Sequence, residues 1–373
     1  MPWLRLNRSA SRARWAFFRR DRVVTTLLLE FLGLAAIVAV AGTFLALAAE
    51  RIAEITRLGR LLIGSLLLAA ATSLPELSVD IAAVRHGLAD VAVGDLLGSS
   101  LMNLTILAVL DLAVRSRGGM LSREAASHAL SGTLSMGLTG LAGLGLLTAG
   151  KLPAVAVLNI GGWSWAILLA YALGARMVFV NQRIAARTAA EAAESAGNAA
   201  EAIAGGAGTP PADPARLWKP VAVFLAATAV LLVAGPRLAK TAGELAEASG
   251  LGGSFVGTTL VAVATSLPEL VASITAIRLG AFDLVVGNVF GSNAFNMLLF
   301  PVLDGVHDGP LFAAASPVHA VTAFAVILVT VIAVLGQLYS VERRKRLIEA
   351  DAMLMLVVLG GAFLLVYRLS AAG

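Results

Sequence analysis

The sequence predicts an all-α polytopic membrane protein with about ten transmembrane helices, arranged as two inverted-topology repeats of five helices each. Three observations support this prediction. The chain of 373 residues is 58% hydrophobic and only 14% charged, whereas a soluble domain carries about 25% charged residues. Its apolar residues fall into runs of about 18 to 25, long enough for a helix to cross a bilayer. Finally, one long segment of the chain occurs twice.

The repeated segment aligns residues 71–104 with residues 264–297 at a constant offset of 193 positions and without a gap. In this window 17 of 34 positions are identical, including the unbroken string Ala-Thr-Ser-Leu-Pro-Glu-Leu. Internal similarity of this kind indicates two homologous halves. Each half carries one glutamate, Glu76 or Glu269, within apolar sequence.

The apolar runs divide evenly between the two halves. The expected spans are 25–49, 60–84, 91–114, 129–149 and 154–178, followed by 220–238, 253–277, 284–303, 317–338 and 351–368. Because five crossings precede the second half, its copy of the repeat enters the membrane from the opposite side. Such an inverted pair is typical of secondary transporters.

Composition sets the expected domain boundaries. Residues 1–24 form a basic tail with seven arginines and no visible signal-peptide cleavage site, so we expect the tail to be retained. The first inverted repeat is expected at 25–179, with its motif at 64–104, and the second at 218–373, with its motif at 257–297. The Ala-rich, polar segment 180–217 between them is expected to be a linker, too short for a folded domain.

Lysine and arginine positions predict the orientation. Of the 28 basic residues, 16 fall on the linker side and 12 on the side of the termini, seven of the latter in the tail. Cytoplasmic loops are enriched in these residues. The count therefore places the linker in the cytoplasm and both termini outside, in a plasma (inner) membrane, although the tail itself argues for the reverse.

Several function classes are not expected. The chain has no cysteine, which excludes disulfides and thiolate metal sites. The net charge of +5 is explained by loops that face anionic lipid, so no nucleic-acid partner is expected. The sequence contains no zinc-hydrolase motif, nucleophile–base pair or phosphate-binding loop, so the protein is not expected to be an enzyme or to need a cofactor.

The repeat gathers oxygen atoms on one helix face. Thr72, Ser73 and Glu76 are spaced at i−4, i−3 and i, which places them side by side. Pro75 has no N–H and leaves the carbonyl oxygen of Ala71 without its usual helical partner. Inside a membrane such a carbonyl needs another partner, and a cation is one. The second copy repeats the pattern with Thr265, Ser266, Glu269, Pro268 and Ala264.

The next helix of each copy adds further polar groups. These are Ser99 and Asn103 in the first copy and Ser292 and Asn296 in the second, each pair at i and i+4. Glycines four residues apart, Gly94 with Gly98 and Gly287 with Gly291, let backbones approach closely. We therefore expect the second helix of each copy to press its polar face against the first.

The resulting ligand set consists only of oxygen atoms. Carboxylates, hydroxyls, amides and carbonyls suit Ca²⁺, Na⁺, Mg²⁺ or Mn²⁺ better than Zn²⁺ or Cu⁺. The two ionised glutamates carry a formal charge of −2, which one divalent or two monovalent cations neutralise. Inorganic cations and the lipid bilayer are therefore the expected partners.

The string Thr-Ser-Leu-Pro-Glu followed by Gly-(Asn/Asp)-x-x-Gly-Ser-x-x-x-Asn, present twice, resembles the α-repeats of the cation/Ca²⁺ antiporter superfamily, in its sodium/calcium exchanger branch of prokaryotic type. The resemblance implies exchange of Ca²⁺ for Na⁺ by alternating access, in a monomeric transport unit. It implies Glu76 and Glu269 as the central ligands, with Ca²⁺ and Na⁺ as transported ions. The implied surrounding ligands are Thr72, Ser73, Thr265, Ser266, Ser99, Ser292, Asn103 and Asn296, with the carbonyls of Ala69 and Ala262.

The sequence departs from the family pattern at four positions. Asp95 and Ser100 replace asparagines, Asn296 stands where many members have aspartate, and Asp80 adds a carboxylate one turn beyond Glu76. These changes leave open H⁺ or K⁺ coupling, or another divalent substrate. Asp95 is expected to lie either in the site or at a helix end.

Asp80 falls near the end of its predicted span. We expect it either to add to the site or to face water or pair with Arg85 or His86.

Overall fold

A computed structural model describes most of the chain. The described residues are 3–56, 71–114, 128–151, 156–157, 160–195, 217–278, 280, 282–338 and 350–370. Almost all of them are helical. The helices before residue 200 are α1 (Trp3–Thr56), α2 (Leu74–Arg85), α3 (Ala89–Ala113), α4 (Ala129–Thr148) and α5 (Gly162–Ser195), with the short strands β1 (Ala156–Val157) and β2 (Ile160–Gly161) before α5.

The second half begins with a long helix and then a broken one. Its elements are α6 (Trp218–Ser249), α7 (Gly253–Val256), a π-helical turn (Gly257–Val261), α8 (Ala262–Thr265), α9 (Leu267–Arg278), α10 (Phe282–Val306), α11 (Leu311–Ala314), α12 (Val318–Leu338) and α13 (Ala350–Ser370). Together α7 to α9 form one span that bends by 43° at Ser266.

The described helices confirm a polytopic membrane protein. Eight of them are long and apolar enough to cross a bilayer, and the bent span makes a ninth. The remaining expected span, 60–84, is described only from residue 71 onwards, because 57–70 lie outside the described residues. The described part of the chain is therefore consistent with ten spans.

The two halves repeat each other in structure at the same offset of 193 residues. α2 and α9 have 12 residues each, α3 and α10 have 25 residues each, and each pair begins and ends 193 positions apart. α1 packs along α6, its counterpart. Each of these first helices also contacts the Pro-Glu helix of the other half, α1 against α9 and α6 against α2. The repeats are thus interleaved.

Glycines allow the closest of these contacts. A Cβ atom added at Gly98 would lie 2.4 Å from the carbonyl oxygen of Thr258, and one at Gly257 would lie 2.4 Å from that of Val91. α3 therefore meets the π-helical turn backbone to backbone. We predicted that Gly94 and Gly98 would bring α3 against the first helix of its own copy. α3 does contact α2, but the two glycines face Gly257 and Thr258 of the other copy. Interleaving of the halves explains the difference.

The structure corrects one predicted boundary. The fifth span was expected from residue 154, but residues 156–157 and 160–161 form a β-hairpin and the helix begins at Gly162. Apolar content alone does not separate these two conformations. The first part of the predicted linker is helical, because α5 continues to Ser195. Residues 196–216 of the predicted linker lie outside the described residues.

Candidate functional site

Both Pro-Glu helices restart after a break at a serine. Ser73 has φ −89° and ψ 8°, and Ser266 has φ −83° and ψ 2°, so the two breaks share one conformation. In each copy the proline is the second residue of the new helix, where its missing N–H is tolerated. The proline thus prevents the first helix from continuing and is accommodated in the first turn of the next one. The Thr, Ser and Glu of each motif therefore lie around the break.

The glutamates lie at the centre of this arrangement. Glu76 and Glu269 are fully buried, and their carboxyl groups lie close enough to interact electrostatically. Hydroxyl groups lie near both, Thr72 and Ser292 beside Glu269 and Ser99 beside Glu76, but no described group donates a hydrogen bond of normal geometry to either carboxyl group. Buried carboxylates without partners are costly, so they indicate a place for a positively charged ligand.

Hydroxyl groups join the two copies around the glutamates. Thr72 Oγ1 lies 3.5 Å from Ser292 Oγ, and Thr265 Oγ1 lies 3.1 Å from Ser99 Oγ. These two contacts are equivalent under the offset of 193. Because each contact connects a broken helix to the second helix of the other copy, the site is formed by both halves together.

The asparagines are less symmetric. Ser73 Oγ donates to Asn296 Oδ1 at 3.2 Å. The equivalent pair would be Ser266 with Asn103, but Asn103 Nδ2 donates to Asn293 Oδ1 at 3.0 Å instead. Asn293 has a serine, Ser100, as its counterpart, and that substitution breaks the symmetry. Ser266 Oγ and Asn103 Oδ1 consequently have no partner among the described residues.

Ten of the twelve predicted ligand residues are side-chain ligands, and all ten are buried. Ala262 is also buried, but its carbonyl oxygen already accepts the Ser266 N–H at 3.0 Å. Ala69 lies outside the described residues. The structure thus brings the predicted side chains together, and their role as cation ligands stays a prediction.

Asp80 and Asp95 both belong to this buried region. Asp95 Oδ1 accepts hydrogen bonds from Thr265 Oγ1 at 3.0 Å and from Ser99 Oγ at 3.3 Å. Asp80 is fully buried one turn beyond Glu76. It is therefore wrong that Asp95 lies at a helix end. It is also wrong that Asp80 faces water or pairs with Arg85 or His86. α3 begins six residues before Asp95, and α2 turns Asp80 inwards.

The site is acidic throughout. Every lysine and arginine whose side chain is described is exposed, so none pairs with the buried carboxylates. Within the described ranges, no three Asp, Glu, His or Cys side chains are grouped as metal ligands usually are. A cation here would therefore depend on hydroxyl, amide and carbonyl oxygens as well as on the two glutamates.

The buried carboxylate of Asp304 was not predicted from the sequence. Asp304 accepts the N–H groups of Gly161 and Leu311 at 2.7 and 2.8 Å, and the Ser164 hydroxyl at 2.7 Å. It thereby ties α10 to the β-hairpin and to α11. The internal repeat could have identified it, because an aspartate, Asp111, lies 193 positions earlier in the chain, and both aspartates are buried.

Comparison with known proteins adds a family assignment. The family described as "Sodium/calcium exchanger protein" matches residues 26–180 and 219–372. The putative antiporter CaxA of Alkalimonas amylolytica is 29% identical over 255 residues, which cover 67% of this chain and 71% of CaxA. The sodium/calcium exchanger MaX1 of Methanosarcina acetivorans is 36% identical over 88 residues, or 24% of this chain and 25% of MaX1.

Two solved structures share the fold. Native YfkE superposes with a TM-score of 0.62 at 17% identity, covering 94% of this chain and 99% of YfkE. The sodium-calcium exchanger NCX_Mj superposes with a TM-score of 0.54 at 19% identity, covering 91% of this chain and 99% of that structure. At these identities the likeness concerns the fold alone.

Proposed function

The chain belongs to the sodium/calcium exchanger family, and from this membership we propose that it moves Ca²⁺ across the membrane in exchange for Na⁺ at the Glu76–Glu269 site. The family identifies a membrane-embedded cation/Ca²⁺ antiporter. The driving ion, the ligand residues and the alternating-access mechanism are the parts that we propose.

The observation that carries the proposal is the pair of buried carboxylates without partners. Glu76 and Glu269 come from opposite repeats and offer four oxygen atoms with no donor among the described residues. Ca²⁺ takes six to eight oxygen ligands. The hydroxyls of Thr72 and Ser292 lie beside Glu269, and that of Ser99 lies beside Glu76, so they would supply further oxygens.

Charge balance explains how such a site would exchange ions without a leak. With both glutamates ionised the site carries −2, and bound Ca²⁺ or two Na⁺ make it neutral. A charge at the bilayer centre costs about 2.5–3.5 kcal/mol or more on insertion scales. The charged, ion-free site would therefore resist crossing between its two access states, whereas the loaded site would cross.

The interleaved repeats support alternating access. In a transporter built from inverted repeats, one group of helices rocks against the other around a fixed central site. Here the broken spans meet at the glutamates, whereas the long helices α1 and α6 pack along each other outside them. We further propose a plasma (inner) membrane location with both termini outside, a cytoplasmic linker and a monomeric transport unit.

The test is ⁴⁵Ca²⁺ uptake into proteoliposomes loaded with Na⁺, K⁺ or buffer at a different pH. We expect uptake with an outward Na⁺ gradient and its loss in Glu76→Gln, because that variant removes half of the charge that holds Ca²⁺. Glu244→Gln is the matched control, since Glu244 is exposed and forms an ion pair with the exposed Lys240. Uptake driven by K⁺ or H⁺ but not by Na⁺ would contradict the proposed coupling.

A further inference from the structure

A second buried carboxylate pair lies beside the proposed exchange site. Asp80 follows Glu76 by one helical turn, towards the turn that connects α2 to α3, and Asp95 lies six residues into α3 from that same turn. Both side chains are fully buried and their carboxyl groups face each other. The family resemblance assigns neither of them a role.

The two repeats together orient Asp95. Its Oδ1 atom accepts two hydroxyl hydrogen bonds, one from Ser99 of its own helix and one from Thr265 of the other repeat. Its Oδ2 atom and both oxygens of Asp80 have no hydrogen-bond partner within the described ranges. The two carboxyl groups lie within hydrogen-bond distance of each other, and no other described group donates to these three oxygens.

The charges around these residues, if all four carboxyl groups are ionised, do not balance without further positive charge. Glu76, Glu269, Asp80 and Asp95 interact with one another electrostatically. Fully ionised they carry −4, and one Ca²⁺ neutralises only two of these charges. No described lysine or arginine is buried to supply the rest. Leaving such charges uncompensated in a protein interior is strongly unfavourable.

The second repeat shows that the fold does not require acids at these places. The counterparts of Asp80 and Asp95 are Ser273 and Asn288, which are neutral. Ser273 is buried like Asp80, so the same position of the fold accepts a small neutral side chain. Packing therefore does not require carboxylates here, and the pair is explained by a bound positive charge, either a cation or a shared proton.

We propose that Asp80 and Asp95 form a second cation site, one helical turn from Glu76 and present in the first repeat only. Its free ligands are carboxylate oxygens, so it takes a hard cation such as Na⁺ or Ca²⁺. It lies between Glu76 and the turn that connects α2 to α3. This inference assumes the proposed function, in which Glu76 and Glu269 already hold one cation.

Equilibrium dialysis of the purified full-length protein against ⁴⁵Ca²⁺ and ²²Na⁺ tests this site by counting the bound positive charge per chain. We expect more than two charges per chain in the wild type. We expect at least one fewer in Asp80→Ser and in Asp95→Asn, which introduce the residues of the second repeat. Size-exclusion chromatography checks that each variant folds.

The outcomes separate this inference from the proposed function. Two bound charges in the wild type and in both variants would overturn the second site, since Asp80 and Asp95 would then be neutralised by protons. If a variant does not fold, a count of two charges in the wild type alone still overturns the second site, and the other variant locates any additional charge. Glu269→Gln tests the proposed function separately. Unchanged Ca²⁺ binding in this variant would contradict the central site and would leave the second site standing.

Discussion

Replacement of Gly98 by alanine tests whether the backbone contact between the repeats shapes the site. The added Cβ would lie 2.4 Å from the Thr258 carbonyl oxygen and 2.6 Å from its Cα, whereas ordinary contacts begin at 3.4 Å. To lengthen the contact between the added Cβ and the Thr258 carbonyl oxygen from 2.4 Å to 3.4 Å, α3 and the π-helical turn must separate by about 1 Å. Both neighbours are backbone atoms, so no side chain can rotate away.

This separation would open the oxygen site next to it. Ser99 follows Gly98 directly, and its hydroxyl lies only 3.1 Å from that of Thr265. A shift of about 1 Å takes the pair beyond hydrogen-bond distance, and overpacking of this kind destabilises by about 1–3 kcal/mol. We expect Gly98→Ala to lower both the thermal stability and the Ca²⁺ affinity, measured by thermal unfolding and titration calorimetry.

Gly140→Ala is the matched control. Gly140 also lies inside a helix, but its added Cβ would approach no atom closer than 3.9 Å. Alanine is favoured over glycine in a helix by roughly 0.5–1 kcal/mol. We therefore expect this variant to bind Ca²⁺ as the wild type does, with equal or higher stability. Wild-type stability and affinity in Gly98→Ala would refute the reasoning.

Two further predictions concern other contacts of the fold. Gly42→Ala would place a Cβ 2.6 and 2.9 Å from ring carbons of the two motif prolines, so transport should fall, whereas Gly33→Ala, which meets nothing within 4 Å, should transport normally. Asp304→Ala removes the acceptor of three hydrogen bonds, and we expect a loss of roughly 2–4 kcal/mol in thermal or denaturant unfolding. Asp308→Ala, at an exposed position, should leave stability unchanged.

Much of the architecture follows from the sequence, because hydropathy predicts the membrane spans and the internal repeat predicts that the two halves are equivalent. α3 and α10 begin and end within three residues of the predicted spans. The repeat also predicted that Thr72 and Thr265 would have equivalent surroundings, but not that each would meet a serine of the other copy. Their contacts with Ser292 and Ser99 are accordingly equivalent.

The remaining features depend on contacts between distant parts of the chain. The interleaving of the repeats, which brings Gly98 against Thr258, is not encoded in either local sequence. The placement of Asp95 in the site depends on Thr265, which lies 170 residues away in the chain. The β-hairpin before α5 is stabilised by Asp304, which lies 143 residues from Gly161. Local propensity carries no information on such pairs.

The most direct test of the central claim is a double-mutant cycle of Ca²⁺ affinity, measured by titration calorimetry on the wild type, Glu76→Gln, Glu269→Gln and the double variant. If both carboxylates hold one ion, each single change should cost about 2 kcal/mol or more, roughly 30-fold in affinity. The double variant should then lose less than the sum of the two single losses. Strictly additive losses, or wild-type affinity in either single variant, would contradict a shared site.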